Sequence, residues 1–334
     1  MAPPTDSHGH CLANGRYPTM EDRRLSSSGM RISRVAFGCE ALGGWDCGRV
    51  DNSKLAGAIE RALERGINAF DTADVYGLGR SEERLSELLG ARRHEAIIIT
   101  KFGVNWRSNP AAGRAATFRD CRPERVGEAI ENSLRRLRID CIPLYLVHWP
   151  DPKIPIEHTV EALSRYRDLG KIREIGLSNS SVELIERAIK IVPLAAVEFQ
   201  YSLIDRSPEG DIFDCCRRLE LHTLAYGALG QGLLSGKYDM ATGFEQDDRR
   251  SRLRHFRAEE IRSRRGLLTA LSGIAAQEGA TSAQIAIRWV LANEFVGSVI
   301  IGAKSPEQVD ECFNGLAAPL GQLALSVLNA ASER

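Results

Sequence analysis

Eight short apolar, β-branched runs are spread along this chain, and most gaps between them carry apolar residues at helical spacing. The runs are Val35–Phe37, Asn68–Asp71, Ile97–Thr100, Leu144–His148, Glu174–Leu177, Ala196–Phe199, Thr223–Ala225 and Val299–Ile301. Near-continuous apolar runs suit strands buried on both faces. Helices are predicted from Ser53 to Glu64, from Ser81 in Ser-Glu-Glu-Arg-Leu, and from Pro123 through Val126, Ile130 and Leu134. Others span Pro155–Asp168, Ser181–Ile191, Gly210–Leu219, Arg264–Glu278 and Ser282–Ala292. Serines at helix starts and prolines in first turns mark their N-termini. Strict alternation of strand and helix implies a parallel sheet. Eight such units favour an α/β fold of the closed (β/α)8 kind, a TIM barrel, over an open doubly wound sheet.

The 334 residues fit one such barrel, which commonly takes roughly 250 residues or more. The expected organisation is a disordered N-terminal tail over 1–20 and a single barrel domain over 21–334. Glu21 to Ser33, turning at Ser28-Gly29, reads as a β-hairpin capping the barrel floor. Two connections are long, Gly103–Arg122 and Lys237–Ile261, and long loops in compact domains tend to be functional or mobile.

Charge narrows the function classes. Lys plus Arg and Asp plus Glu both number 44, for a formal net charge of zero, so no basic footprint for nucleic acid exists at chain level. Arg249, Arg250, Arg252 and Arg254 follow Asp247-Asp248 and read as a solvated loop. No apolar stretch reaches the roughly 18 residues of a membrane span. Met1 to Gly15 is polar and lacks a signal-peptide core. The eight cysteines are scattered without a C-x-x-C pair, as expected of reduced thiols in a cytoplasmic protein, and Cys215-Cys216 reads as helix packing. His8 and His10 fall in the tail, and no metal site is expected.

Polar residues close several of the apolar runs. Asp71 ends Ile67-Asn68-Ala69-Phe70, Lys101 ends Ile97-Ile98-Ile99-Thr100, and His148 ends Leu144-Tyr145-Leu146-Val147. Ser178-Asn179, Gln200 and Tyr226 follow three later runs. Each alone has a plain structural reading: a turn cap, a solvated lysine, a satisfied core histidine. Together they crowd the C-terminal mouth, where barrels of this kind carry their chemistry. A tyrosine joined to that Lys, Asp and His suits proton donation to a carbonyl oxygen as hydride reaches the carbon. The ammonium would lower the phenol's pKa, the carboxylate would hold the ammonium, and the histidine would orient the oxygen.

The sequence resembles the aldo-keto reductases from about Glu21 to Phe313. The resemblance rests on Phe70-Asp71-Thr72-Ala73-Asp74-Val75-Tyr76-Gly77, Ser81-Glu82-Glu83, Thr100-Lys101, Val147-His148-Trp149-Pro150 and Gly176-Leu177-Ser178-Asn179. Gln200-Tyr201 and Gly232-Leu233-Leu234-Ser235-Gly236-Lys237 continue the series. Tyr76-Gly77-Leu78-Gly79-Arg80-Ser81-Glu82-Glu83 and His148-Trp149-Pro150-Asp151-Pro152 look most like the bacterial branch of inositol-operon and general-stress reductases. The resemblance implies a catalytic tetrad of Asp71, Tyr76, Lys101 and His148, with Tyr76 as general acid. It implies Ser178, Asn179 and Gln200 on a nicotinamide carboxamide and Tyr226 against the ring. Leu229, Gln231, Gly232 and Leu234 would line the pyrophosphate passage, and Gly302, Lys304, Gln308 and Glu311 the adenosine end.

Gly227, Gly230 and Gly232 do not fit the Rossmann spacing, in keeping with a family that binds dinucleotide without that domain. Ser305-Pro306-Glu307 starts a helix whose N-terminus suits phosphate, and Lys304 adds a charge where a 2′-phosphate would lie. NADP(H) is therefore expected over NAD(H). Two positions depart from the family: Cys312 stands where an Asn often contacts adenine, and Gly227-Ala228 replaces a frequent Ser-Pro after Tyr226. Trp45, Trp106 and Trp149 are candidates for the substrate pocket wall. Asn105, Arg107 and Asn109 hint at a polyol or sugar-like substrate. The expected partner is a small carbonyl compound, with no nucleic acid and no membrane, and the oligomeric state is open. Two alternatives stand beside the reductase: an NAD(P)+-dependent sugar or polyol dehydrogenase, and a cofactor-sensing subunit like some relatives attached to ion channels.

Overall fold

The computed structural model describes residues 21–25, 29–107, 115–316 and 318–333. The expected tail, with His8 and His10, lies outside these residues, as do Ser28 and Asn109. Eight parallel strands close into a barrel in the order β3 (Val35–Gly38), β4 (Ala69–Asp71), β5 (Ile97–Phe102), β8 (Ile142–Val147), β9 (Ile172–Ser178), β10 (Ala196–Gln200), β11 (His222–Tyr226) and β12 (Ser298–Gly302). Each coincides with one of the eight apolar runs. An antiparallel hairpin, β1 (Asp22–Leu25) and β2 (Met30–Ser33), precedes them.

Around the strands run α1 (Asn52–Glu64), α2 (Arg80–Leu89), α3 (Pro123–Leu137), α4 (Ile156–Asp168), α5 (Val182–Ile189), α6 (Asp211–Arg218), α7 (Ala258–Ser263), α8 (Arg265–Gln277), α9 (Ser282–Ala292), α10 (Pro306–Phe313) and α11 (Gln322–Ser332). Their starts follow capping chemistry. Ser181 caps α5, and Thr281 with Gln284 forms a reciprocal capping box on α9. The cap of α1 is Asp51, whose carboxylate accepts from Ser53 N and Lys54 N, rather than Ser53 as the sequence suggests.

Two apolar cores result. The larger fills the space between the strands' outer faces and the helices. The smaller lies inside the barrel, where Ala36, Ala69, Ile97, Ile99, Leu144, Leu146, Ala196, Leu224 and Ile300 meet Leu25, Met30 and Ile32 of the hairpin. The hairpin thus seals the floor, and polar side chains have room only toward the other end.

The long connections are less loop-like than expected. Gly103–Arg122 contains a second antiparallel hairpin, β6 (Val104–Arg107) with β7 (Ala116–Arg119). In Lys237–Ile261 the arginine run is not freely solvated. Arg249 pairs with Glu40, Arg250 with Asp248, and Arg252 with Asp46. Arg250 also lies over the Tyr238 and Phe244 rings, 5.2 and 4.6 Å from their centroids. The acidic partners lie partly in the β3–α1 connection, so the local sequence cannot reveal them. Among the described residues no helix is long and apolar enough to cross a membrane.

Candidate active site

Register places the charged cluster. Asp71, the last residue of β4, pairs with Ile99 of β5. Lys101 lies two residues further along β5, and a period of two returns its side chain to the same face. Its Nζ reaches Asp71 Oδ2 at 2.6 Å and donates to Thr72 O at 3.0 Å. The Lys101 side chain is fully buried. Burial alone would lower its pKa, but Asp71, Glu198 and Tyr76 hold the ammonium charged and push it above the ordinary lysine value.

Tyr76 sits on a sharp turn after β4. Gly77 has φ 60°, and a Cβ on Gly43 would fall 2.7 Å from Gly77 N, so two glycine backbones touch here. That close approach fixes the tyrosine over the mouth. Lys101 Nζ lies 5.6 Å from the Tyr76 ring centroid, and the His148 ring meets the tyrosine edge-on with centroids 5.8 Å apart. The four residues Asp71, Tyr76, Lys101 and His148, which come from three strand ends, therefore form one cluster. The expected lowering of the phenol does not win. Burial raises Tyr76 well above its ordinary value, with Lys101 opposing. Burial and Lys101 both push His148 well below the ordinary imidazole value. His148 is thus a neutral ring, with Nδ1 buried and unpartnered.

Just after the neighbouring β9, Asn179 adopts a left-handed backbone (φ 53°), which asparagine tolerates better than most residues. Its side-chain amide donates to His148 O at 3.0 Å and accepts from the Tyr226 hydroxyl at 2.7 Å. Ser178 and Asn179 are thereby tied to His148 and Tyr226. Gln200 is the last residue of β10, half-buried beside Gly227. The neighbour of Ser178 is instead Glu198, its register partner, which accepts from Ser178 Oγ at 3.2 Å. Glu198 also lies 3.3 Å from Lys101. Sequence reasoning missed it, although a carboxylate in the middle of an apolar strand was the signal.

Leu229, Gln231, Gly232 and Leu234 lie in or beside a 3-10 turn, Gly230–Ser235, just after β11. Leu234 is fully buried in the main core. Gln231 and Gly232 have φ values of 51° and 104°, and a Cβ on Gly232 would meet the Tyr238 ring at 2.9 Å. Gly302 ends β12, and Lys304 lies beyond it with Nζ donating to Cys47 O. Gln308 Oε1 accepts from Lys304 N at 2.8 Å, while Glu311 is occupied by Lys237 at 2.7 Å. Cys312 is buried. Trp45 and Trp149 are 43% and 37% exposed, so neither is a core residue, and Trp106 lies in β6. A cavity of about 410 Å³ lies beside the tetrad rather than over it, lined in part by Arg119, Trp149, Asn179 and Arg187.

A closed eight-strand barrel with Asp, Tyr, Lys and His gathered at its mouth is matched by sequence comparison. The profile of the aldo/keto reductase family aligns with residues 34–333. The chain belongs to the aldo/keto reductase family. It is an oxidoreductase of a family that uses a nicotinamide cofactor. It is 34% identical to the aldo-keto reductase YhdN of Bacillus subtilis over 87% of each chain. Identity to the NADP(+) aldo-keto reductase yakc of Schizosaccharomyces pombe is 30%, over 90% of this chain and 89% of that one. The structure of a glycerol dehydrogenase from Gluconobacter oxydans superposes with a TM-score of 0.84 at 34% identity, covering 93% and 94% of the two chains.

Proposed function

We propose that this reductase transfers hydride from NADPH to an aldehyde or ketone, with Tyr76 donating the proton to the carbonyl oxygen. The carrying observation is that the Tyr76 ring lies 5.6 Å from the Lys101 ammonium and 5.8 Å, in T-shaped contact, from the His148 ring. Burial keeps the phenol protonated, so it reaches the reaction as an acid, and the adjacent ammonium offsets part of the cost of the phenolate it leaves behind. Asp71 fixes the ammonium at 2.6 Å. The neutral His148 offers a ring N–H to the same oxygen, which orients the carbonyl without a competing charge.

The mouth suits a nicotinamide. Ser178, Asn179 and Tyr226 join a flat aromatic face to amide-binding groups. The left-handed turn through Gln231 and Gly232 would offer backbone N–H groups to the pyrophosphate, and Lys304 with the Ser305-capped start of α10 would provide charge for a 2′-phosphate. When bound, the cofactor supplies the hydride.

The similarity to a glycerol dehydrogenase supports a polyol- or sugar-derived substrate and favours keeping the reverse oxidation as a second reading. The test is NADPH consumption over aldehydes, ketones and keto-sugars with the wild type and Tyr76→Phe. Turnover should fall about 10²- to 10⁴-fold in the variant while NADPH still binds. Equal turnover in the two proteins would remove Tyr76 as the acid.

A further inference from the structure

Glu198 is a buried ionisable group for which the reaction above has no use. It projects from mid-β10 into the barrel, level with Ser178, and its side chain is 4% exposed. One oxygen accepts from Ser178 Oγ at 3.2 Å. The other lies 3.3 Å from Lys101 Nζ without a well-directed hydrogen bond, and the carboxyl also faces that of Asp71. Lys101 thus stands between two carboxyl groups. Ionising both leaves a net negative charge in a site shielded from water, and one bound proton removes that charge. The tighter contact, 2.6 Å, commits the ammonium to Asp71. Glu198 is therefore the group that keeps the proton.

We propose that Glu198 sets the balance between reduced and oxidised cofactor. Protonated, it presents a neutral wall beside Ser178 and favours the uncharged reduced ring; ionised, it favours the cationic oxidised ring. This rests on the nicotinamide reading of Ser178, Asn179 and Tyr226 given above. Glu198 is a positioning residue and takes no part in the hydride or phenol-proton transfer. Burial and Asp71 push its carboxyl up to about 8, with Lys101 opposing. The groups around it leave that window clear. Tyr76 and Tyr226 are raised by burial, Lys101 is held charged by its acidic neighbours, and in Asp71 the upward push of burial is opposed by the Lys101 ammonium it touches.

The experiment measures dissociation constants of NADP+ and NADPH for the full chain at about pH 6.5 and about pH 9 by fluorescence titration. In the wild type the ratio of NADP+ to NADPH constants should fall about tenfold with rising pH. Titration of the 2′-phosphate cancels in that ratio. In Glu198→Gln the ratio should stay constant. A wild-type ratio that does not move, or one that moves equally in E198Q, overturns the proposal. Should E198Q fail to fold, calorimetry of the wild type near pH 8 in buffers of different ionisation enthalpy decides. NADP+ should release protons on binding and NADPH should not; equal release overturns the idea. If neither dinucleotide binds at any pH, the cofactor assignment falls first and this proposal with it. A pH-independent ratio with tight binding overturns this proposal alone.

Discussion

Lys101 Nζ and Asp71 Oδ2 stand 2.6 Å apart with side chains 0% and 6% exposed. Removing one partner of such a pair strands the other in low dielectric, which typically costs about 3–5 kcal/mol. Lys101→Met leaves Asp71 and Glu198 facing each other without a cation. The expected result is a loss of about 3–5 kcal/mol in urea unfolding, reduced at lower pH where the carboxyls take up protons. Carbonyl reduction should fall at least about a hundredfold, because the Tyr76 phenolate loses its neighbouring charge. A fully active, fully stable variant would contradict the placement of Lys101.

Much of this cluster was legible in the sequence, for a physical reason. Parallel strands covered on both faces must be apolar throughout, so a polar residue closing such a run marks the mouth. Asp71, Lys101 and His148 announce themselves that way. Glu198 and Gln200 share one face of β10 by the strand period, yet only the terminal one drew notice, and register shows Glu198 to be the partner of Ser178. The β6–β7 hairpin carried no readable pattern because β7 is exposed along its whole length. The ion pairs of Arg249 and Arg252 reach back across 209 and 206 residues, a separation no local pattern encodes. Tyr76 shows the limit for electrostatics, since the sequence names the ammonium that lowers the phenol but not the burial that outweighs it.

His222 lies within the barrel wall, its Nε2 3.0 Å from Ser298 Oγ, and burial pushes it down to about 4. The unfolded imidazole titrates near 6.5. Above that value both states are neutral and no stability is lost. As pH falls below it the unfolded chain binds the proton and the native one does not, so stability drops until the folded value is reached. At pH 5 the cost is about 2 kcal/mol, and His148, also lowered, acts in the same direction. Urea midpoints at pH 7 and pH 5 should show this loss, and His222→Gln should diminish it by about 2 kcal/mol. An unchanged pH dependence would place the acid lability elsewhere.

The β3–α1 connection and the segment after β11 are clasped together at the mouth. Arg249 N donates to Asp46 O at 3.1 Å, Arg252 reaches Asp46 Oδ1 at 2.6 Å, and Arg249 pairs with Glu40. These contacts are part-exposed, so Arg249→Ala should cost under about 1 kcal/mol of stability. Their joint effect is expected on the retention of the proposed cofactor. Release of NADPH, followed by stopped-flow displacement, should quicken about tenfold in the variant with little change in association, since contact losses act chiefly on dissociation. An unaltered release rate would mean that the clasp does not retain cofactor.

Lys304 is half-buried between the end of β12 and the start of α10, and its ammonium donates to Cys47 O. Burial lowers its pKa from the ordinary lysine value, so a phosphate dianion nearby would be a better partner than a single carbonyl. The N-terminus of α10, with Ser305 accepting from Gln308 N at 3.3 Å, adds its dipole to the same spot. Replacing Lys304 with Met keeps the aliphatic stem and removes only the charge. Affinity for NADPH should fall about tenfold, equivalent to about 1.4 kcal/mol, while affinity for NADH, which lacks the 2′-phosphate, should change by less than about twofold. Equilibrium titration of both cofactors against both proteins checks this. A parallel loss for NADPH and NADH would mean that Lys304 supports the mouth structurally and does not select the phosphate.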